Sequence, residues 1–255
     1  MSLNGLVSVI TPSHNQEGYL RRVVDAVARQ TVAVREHIII DDGSTDDSRV
    51  LLSRLAAEYP HLVLVFQQRA GAAAARNRGI HIARGRYIAF LDADDVWHPR
   101  KIEQQIGFME AQGVWFTYGD YEEVDHADGG CVHRYRLPEE VGHRDLLRGC
   151  PIGCLTAAYN QQALGKRYMP AVPSGHDWGL WLELTRYGIS AYKYPGLEAA
   201  YTNGRHTLSS RKLRKVKNIY RIYRESEGLA PVGAAARTAG HAARAIAKKA
   251  RLLYR

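Results

Sequence analysis

The stretch YIAFLDADDVW, residues 87–97, joins an apolar run to three aspartates. The run, Tyr87 to Leu91, predicts a buried strand, because short continuous apolar runs are typical of sheets covered on both faces. Three carboxylates this close repel one another, and each is costly to bury without a partner. The stretch therefore predicts a strand whose carboxyl end carries charge that another group neutralises.

The same pattern occurs twice closer to the N-terminus. An apolar run at residues 6–11 is followed by PSHN, and HIII at residues 37–40 is followed by DDGSTDDS. Helical spacing of apolar residues separates these runs, so the sequence predicts βαβ units, a largely parallel sheet and an α/β fold. Ligands of such sheets bind beyond the carboxyl ends of the strands. The three polar strand ends are therefore expected to form one site.

The charge of the chain is unevenly distributed. The 255 residues carry a formal net charge of +9, but residues 205–255 alone hold 14 Lys or Arg against 2 Asp or Glu. The remaining residues are slightly acidic, whereas a nucleic-acid-binding protein is expected to carry its basic patch on the folded domain. Nucleic acid is therefore not an expected partner.

Cysteine usage and hydropathy predict a cytoplasmic protein. Cys131, Cys150 and Cys154 have no zinc-like spacing, which favours reduced thiols. No apolar run approaches the roughly 18 residues that a membrane span needs. The N-terminal stretch lacks the features of a secretory signal.

Asp92 and Asp94 are the first candidate metal ligands. In an extended segment, side chains two positions apart point to the same side. Mg²⁺ and Mn²⁺ prefer oxygen ligands, and Mg²⁺ commonly combines few carboxylates with substrate phosphates. The same residues also fit a solvated turn that caps the helix predicted after Pro99.

Asp42 is a candidate ligand-binding carboxylate at the end of the HIII strand. It can accept hydrogen bonds from a nucleobase imide or from ribose hydroxyls. The alternative is an Asx-type turn with helix capping, which is the interpretation preferred for Asp46 and Asp47.

Four motifs in order resemble a family 2 inverting glycosyltransferase with the GT-A fold. They are VSVITPSHNQEGYL, HIIIDDGSTDDS, GAAAARNRGIHIARGRYIAFLDADDVWHPRKI and SGHDWGLWLELTRYG, and the match extends over about residues 6–205. The resemblance implies a GT-A type fold with a Rossmann-like, mostly parallel sheet flanked by helices. It also implies a nucleotide-sugar donor, usually UDP-linked, and Mn²⁺ or Mg²⁺ as cofactor.

The resemblance assigns roles in metal and nucleotide binding to individual residues. It implies that Asp94 is the more direct metal ligand, that Asp92 supports it, and that His206 completes the site or is a surface residue. His14 replaces the usual aromatic of the family. The implied nucleotide-binding residues are Pro12, His14, Asn15, Glu17, Asp42, Arg76 and Ala93.

The motif GHDW resembles the Glu-Asp pair that contains the catalytic base of the family. Asp177 is the implied base, which removes the proton of the acceptor hydroxyl as that oxygen attacks the sugar. His176 stands in place of the Glu, which makes His176 and Trp178 candidate acceptor contacts. From the residues alone, Asp177 also fits a helix N-cap, and Trp178 also fits the core.

The basic tail allows two interpretations. In residues 241–255, Arg244, Lys248, Arg251 and Arg255 fall on one helical face, as in helices that lie on anionic membrane surfaces. A solvated or disordered charged tail is the alternative.

We therefore expect a glycosyltransferase that builds cell-surface polysaccharide on a glycan or lipid-linked acceptor. Its predicted GT-A domain spans 1–210, with a nucleotide-binding half at about 1–120 and an acceptor-binding half at about 121–210. A basic helical extension follows at 211–255. A non-catalytic nucleotide-sugar-binding or scaffold protein of the same fold, or a phosphatase using the DADDV loop, are the alternatives.

Overall fold

A computed structural model describes residues 2–125, 130–203 and 212–253. The strands are β1 (Val7–Ser13), β2 (Glu36–Asp42), β3 (Leu62–Gln67), β4 (Tyr87–Phe90), β5 (Val96–Trp97), β6 (Phe116–Tyr118), β7 (Tyr121–Asp125), β8 (Cys131–Tyr135), β9 (Glu140–Val141), β10 (Ala158–Asn160), β11 (Ala191–Lys193) and β12 (Ala199–Asn203). The α-helices are α1 (Glu17–Ala28), α2 (Ser48–Glu58), α3 (Ala72–Ile82), α4 (Lys101–Gln112), α5 (His143–Leu146), α6 (Gln161–Leu164), α7 (His176–Thr185), α8 (Lys212–Glu225) and α9 (Pro231–Leu253), and a 3-10 turn spans Cys154–Thr156.

The larger sheet has eight strands in the order β3-β2-β1-β4-β10-β6-β11-β9. Strands β3, β2, β1 and β4 are mutually parallel, as their βαβ connections require. Strand β10 runs antiparallel to both β4 and β6. The sheet confirms the predicted α/β class and its mostly parallel, helix-flanked architecture.

A second sheet of four strands, in the order β5-β12-β7-β8, forms beside the end of β4. Strands β7 and β8 pair in antiparallel orientation, and residues 126–129 between them lie outside the described part. Strand β5 follows the DAD segment directly. The second sheet is therefore attached to the predicted metal-binding loop.

Both faces of the larger sheet are covered by apolar clusters. One face packs against α1, α2 and α4, through residues such as Val23, Leu52 and Ile106. The other packs against α3, α7 and α8, and Ile222 of α8 is 1% exposed there. This double burial explains why the strands are continuously apolar. Helix α8 thus shares the core of the preceding chain, while the predicted boundary at residue 210 stays a prediction.

Helices α8 and α9 pack against each other and are separated near Gly228. The side chains beyond Arg244 lie outside the described part, so the basic face assigned to residues 241–255 stays a prediction. Among the described residues, no helix is both long and apolar enough to cross a membrane.

His37 gives a testable pH dependence of stability. The ring is fully buried in β2, its Nε2 lies 2.9 Å from Thr11 Oγ1, and burial lowers the pKa of His37 to about 3. The unfolded chain binds this proton near pH 6.5, while the folded chain stays neutral. Stability conferred by the neutral ring is therefore lost as the pH falls, by about 2 kcal/mol between pH 7.5 and 5.

The measurement compares urea unfolding of the wild type with that of His37→Gln over this pH range. The amide of Gln retains a partner for Thr11 but does not titrate. Between pH 7.5 and 5 the variant is therefore expected to lose about 2 kcal/mol less stability than the wild type. Contributions from carboxylates are common to both proteins. Equal pH dependence in the two would contradict the assignment.

Candidate active site

The three polar strand ends converge on one edge of the larger sheet. Ser13 of β1 is paired with Asp41 of β2, and Ile10 of β1 is paired with Phe90 of β4. Because these strands are parallel and in this register, the residues that follow them emerge on the same side. The convergence predicted from the sequence is therefore present in the fold.

The loops after β1 and β2 are held together by hydrogen bonds. The backbone N–H of Asn15 donates to Ser44 Oγ at 2.9 Å, and Asn15 Oδ1 accepts from Thr45 N at 2.8 Å. His14 Nδ1 donates to the carbonyl oxygen of Asp42 at 3.0 Å. Because that carbonyl can only accept, the hydrogen bond places a proton on Nδ1 of His14. The predicted nucleotide-binding loops thus form one unit.

Asp42 also organises the start of α3. Its Oδ1 accepts from Gln67 Nε2 and Ala70 N, and its Oδ2 accepts from Gly71 N, each at 2.7 Å. Burial alone would raise the pKa of Asp42, but these hydrogen bonds outweigh it and lower the pKa. A carboxylate has about four acceptor sites, so one site remains for a ligand. The nucleobase contact stays a prediction.

Pro12, Glu17 and Ala93 complete the predicted nucleotide-binding set. Pro12 is half-buried in β1, Glu17 is the exposed first residue of α1, and Ala93 is buried between the two aspartates of the DAD segment. All three lie at the same edge of the sheet as His14, and their ligand contacts stay predictions.

Arg76 connects two of the motifs. Its guanidinium is 4% exposed, donates from Nη2 to Asp92 Oδ1, and donates from Nη1 to His176 Nε2 at 2.6 Å. Burial alone would lower the pKa of Arg76, but the charge of Asp92 outweighs it and raises the pKa. Arg76 is therefore a buried residue of α3 and not a surface residue. Helices α3 and α7 therefore meet at the DAD segment through one buried cation.

His176 is a neutral acceptor in this contact. Arginine has donors only, so Nε2 of His176 accepts and the ring proton is on Nδ1. Burial first, and then the charge of Arg76, lower the pKa of His176. The residue that replaces the family glutamate therefore holds Arg76 without neutralising its charge.

The DAD segment retains excess negative charge. Burial, and then the charge of Asp92, raise the pKa of Asp94. Burial, and then the charges of Asp92 and Asp94, raise the pKa of Asp95 well above its ordinary value. No group of three or more potential metal-ligating side chains occurs in the described part of the chain. Asp94, with Asp92 beside it, fits a Mg²⁺ or Mn²⁺ ion that would take its other ligands from substrate phosphates and water, although Asp92 is also paired with Arg76.

Two contacts that the sequence does not reveal fix the shape of this segment. Arg22 Nη2 of α1 donates to the carbonyl oxygen of Asp94 at 2.6 Å. The side chain of Asp95, which is 3% exposed, accepts from the backbone N–H of Thr202 in β12 at 3.1 Å. Asp95 thereby joins the DAD segment to the second sheet. Neither contact follows from local periodicity, because the partners lie 72 and 107 positions apart.

Asp177 lies in the first turn of α7 and lines a cavity of about 270 Å³. Further lining residues, which sequence reasoning missed, are Tyr121, Glu123, Tyr135, Gly153, Cys154, Leu155 and Tyr201. Asp92 and Asp95 line the same cavity. The predicted base and the predicted metal-binding segment thus border one space.

Trp178 lies in the hydrophobic core and not at the surface of the cavity, so the second of its two interpretations, a core residue, fits the structure. Trp178 is 5% exposed, donates from Nε1 to the carbonyl oxygen of Leu146 at 3.0 Å, and packs edge-on against Tyr223. It is not among the residues that line the cavity beside Asp177. His206, the third predicted metal ligand, lies outside the described residues.

Sequences named as glycosyltransferases resemble the chain over most of its length. TuaG of Bacillus subtilis, which is named as a teichuronic acid biosynthesis glycosyltransferase, is 36% identical over 88% of this chain and 89% of its own. WfgD of Escherichia coli is named as a UDP-Glc:alpha-D-GlcNAc-diphosphoundecaprenol beta-1,3-glucosyltransferase. It is 34% identical over 83% of each chain.

Solved structures share the fold. Residues 1–349 of TarS from S. aureus, crystallised with UDP-GlcNAc, superpose with a TM-score of 0.71 over 94% of this chain and 71% of theirs, at 19% identity. The family model described as "Glycosyl transferase family 2" matches residues 8–167, which include the Asp42, Arg76 and DAD motifs. Because this family match includes the DADDV loop, it excludes the alternative that the loop belongs to a phosphatase. The resemblance seen in the sequence is therefore confirmed, and the chain is a glycosyltransferase that belongs to family 2.

Proposed function

We propose that this enzyme transfers a hexosyl group, with inversion and in the presence of a divalent cation, from a UDP-sugar to a hydroxyl of a lipid-linked sugar. The observation that carries the proposal is the buried Arg76, which joins Asp92 of the DAD segment to His176, the neighbour of the predicted base. One connected site therefore offers a cation for a diphosphate, carboxylates for a metal ion and a base beside a cavity.

Asp177 is the base in this proposal. It accepts the proton of the acceptor hydroxyl while the hydroxyl oxygen forms a bond to C1 of the sugar and the bond from C1 to the diphosphate breaks. A single displacement of this kind inverts the configuration at C1. Arg76 would contact a phosphate, because its planar, forked guanidinium can donate to two phosphate oxygens at once.

Asp92 and Asp94 would hold the metal ion, with Asp94 the more available because Asp92 is paired with Arg76. Mg²⁺ or Mn²⁺ bound there would act as a Lewis acid on the charge of the departing diphosphate. Asp95 and Arg22 hold the backbone of this segment in place. Their contacts fix where the two carboxylates point.

The proposed substrates rest on the relatives. WfgD, at 34% identity over most of both chains, is named for a UDP-glucose donor and a GlcNAc-diphosphoundecaprenol acceptor. We infer the same classes here, a UDP-hexose and a sugar linked through diphosphate to a lipid. Such an acceptor lies at a membrane, and residues 241–255 remain the predicted contact with an anionic surface on the cytoplasmic side.

Binding of UDP with Mn²⁺ is expected to stabilise the protein against heat. At 100 times the dissociation constant, a ligand that binds only the folded state contributes about 2.7 kcal/mol, which raises the Tm of a chain of this size by roughly 5–10 °C. A thermal-shift assay measures this directly. UDP with EDTA is expected to give a much smaller shift, and CDP with Mn²⁺, which differs from UDP only in the base, is the base-specificity control.

Transfer from a panel of UDP-hexoses to a GlcNAc-diphosphate-lipid acceptor then identifies the donor. If neither UDP nor any UDP-hexose shifts the Tm in the presence of Mn²⁺, the proposed donor class is wrong. If binding occurs without transfer to the acceptor, the scaffold alternative or a different acceptor class is favoured.

A further inference from the structure

The cavity beside Asp177 has one wall that the proposed chemistry does not use. Strands β7, β8 and β12 of the second sheet contribute Tyr121, Glu123, Tyr135 and Tyr201 to it. Aromatic rings with few polar groups are typical of small-ligand sites. At about 270 Å³, the cavity lies just below the range of about 300–1,000 Å³ found for drug-sized ligands. It is therefore suited to a ligand of monosaccharide size.

Tyr121 and Tyr135 form the centre of this wall. They are directly opposite each other across the β7–β8 pair, and their rings stack with centroids 4.6 Å apart and planes inclined by 13°. The hydroxyl of Tyr135 donates to Glu123 Oε2 at 2.8 Å, and the ring of His133 packs edge-on against Tyr135 at 4.5 Å. Neighbours on both strands therefore hold these rings in a fixed orientation.

The wall combines two chemical properties. The rings of Tyr121 and Tyr135 present apolar faces, and Glu123 presents a carboxylate beside them. Because of its hydrogen bond to Glu123 first, and then burial, the pKa of Tyr135 is raised to about 12, so its hydroxyl keeps its proton. A pyranose ring needs this combination, since its C–H face packs against an aromatic ring while its hydroxyls require hydrogen-bond acceptors.

We propose that Tyr121, Tyr135 and Glu123 bind the pyranose ring of the acceptor and present its hydroxyl to Asp177. This inference rests on the proposed function, because it assigns the acceptor side of that same site. It makes the β7–β8 pair the element that selects the acceptor sugar. None of the four sequence motifs, which concern the donor-binding strands and the base, includes these three residues.

The location of the wall favours the acceptor over the donor. The nucleotide-binding loops follow β1 and β2, whereas β7 and β8 belong to the second sheet beyond the end of β4. The cavity lining includes the predicted base but none of Pro12, His14, Asn15 or Asp42. A group in this cavity lies against Asp177, and the base must contact the acceptor hydroxyl for the proton to move.

The test measures the KM values of both substrates for the wild type and for Tyr135→Leu, Tyr121→Leu and Tyr135→Phe. The donor is the UDP-hexose found active, and the acceptor is a GlcNAc-diphosphate-lipid. Each Leu variant is expected to raise the acceptor KM by about tenfold, equivalent to 1.4 kcal/mol. The donor KM is expected to change less than about twofold. Tyr135→Phe, which keeps the ring, is expected to have a smaller effect.

Tyr187→Leu is the matched control, because Tyr187 is 75% exposed and is not among the cavity residues. A thermal-shift response to UDP and Mn²⁺ shows that each variant is folded. Unchanged acceptor KM in both Leu variants, or an increase confined to the donor KM, would overturn the inference while leaving the proposed function intact. Failure of the wild type to transfer to the acceptor would overturn both.

Discussion

Replacement of Asp177 by Asn is expected to lower kcat for transfer by about 10³-fold, within the range that general-base catalysis contributes. The amide has nearly the shape of the carboxylate but cannot accept the proton of the acceptor hydroxyl. Asp177 borders the cavity and lies in the first turn of α7, whereas its neighbour His176 is occupied by Arg76. The dissociation constant of UDP is expected to change less than about threefold, since the diphosphate contacts lie elsewhere.

The same variant separates catalysis from a structural role at the start of α7. The N-cap interpretation of Asp177 is wrong, because Gly175 is the N-cap and Asp177 is the second residue of the helix. A purely structural role would act through the helix dipole, worth about 0.3–1 kcal/mol, and predicts a small change in Tm and little change in kcat. Asp145→Asn is a suitable control, because Asp145 also lies in the first turn of a helix, α5, but its side chain is 57% exposed. A kcat for Asp177→Asn near that of the wild type would show that another group removes the proton.

The fold was predictable where local patterns are strong. Strands β1 to β4 are continuously apolar because helices cover both faces of the sheet, and each ends at a polar or glycine-containing segment that is visible in the sequence. The helices between them bury apolar residues at helical spacing, such as Val23 and Val27 of α1. These regularities place the strand ends, and hence the site, without knowledge of tertiary contacts.

The second sheet was not predictable in the same way. Strands β7 and β8 are short and half-buried or exposed, so neither shows a continuous apolar run or a clean alternation. Their stability comes from pairing with each other and with β12, about 80 residues later in the chain. The cavity wall formed by Tyr121 and Tyr135 therefore has no local signal in the sequence.

The residues of the site differ in the same way: some stand in motifs that the sequence shows, and others are defined by contacts between distant segments. Asp42, Asp92 and Asp177 stand in recognisable motifs, and the structure brings their segments to one edge. Arg76 was identified as a site residue only through the family resemblance. The Ala-rich sequence of α3 gives no sign that Arg76 is buried or that it contacts His176, 100 positions away. Lys101 is the clearest case of a burial that the sequence does not predict. It is fully buried over the ring of Trp97, with 3.6 Å between Nζ and the ring centroid, although lysine is rarely buried.

Replacement of Asp94 by Ala is expected to weaken the apparent affinity for Mn²⁺ in the presence of UDP by about 100-fold, the upper end of what even supporting residues of metal sites contribute. Asp94 is the better choice for this test than Asp92. Removal of Asp92 would leave the buried Arg76 without its carboxylate partner and would destabilise the fold, since an unpaired buried charge costs about 3–5 kcal/mol. The raised pKa of Asp94 indicates that its charge is unrelieved, so Asp94→Ala is expected to leave the Tm of the ligand-free protein unchanged or slightly higher.

Heat of binding during titration of Mn²⁺ into the UDP-saturated protein measures the change, and so does the dependence of the transfer rate on Mn²⁺ with the UDP-hexose as donor. Asp47→Ala is the matched control, because Asp47 is an exposed carboxylate near the nucleotide-binding loops and makes no side-chain cap to α2. If the two carboxylates hold the cation, excess Mn²⁺ partly restores transfer by Asp94→Ala, and chelation with EDTA abolishes transfer by the wild type. If Asp94→Ala and Asp47→Ala show the same Mn²⁺ dependence as the wild type, the DAD segment does not bind the metal, and its carboxylates serve only to hold Arg76 and the second sheet.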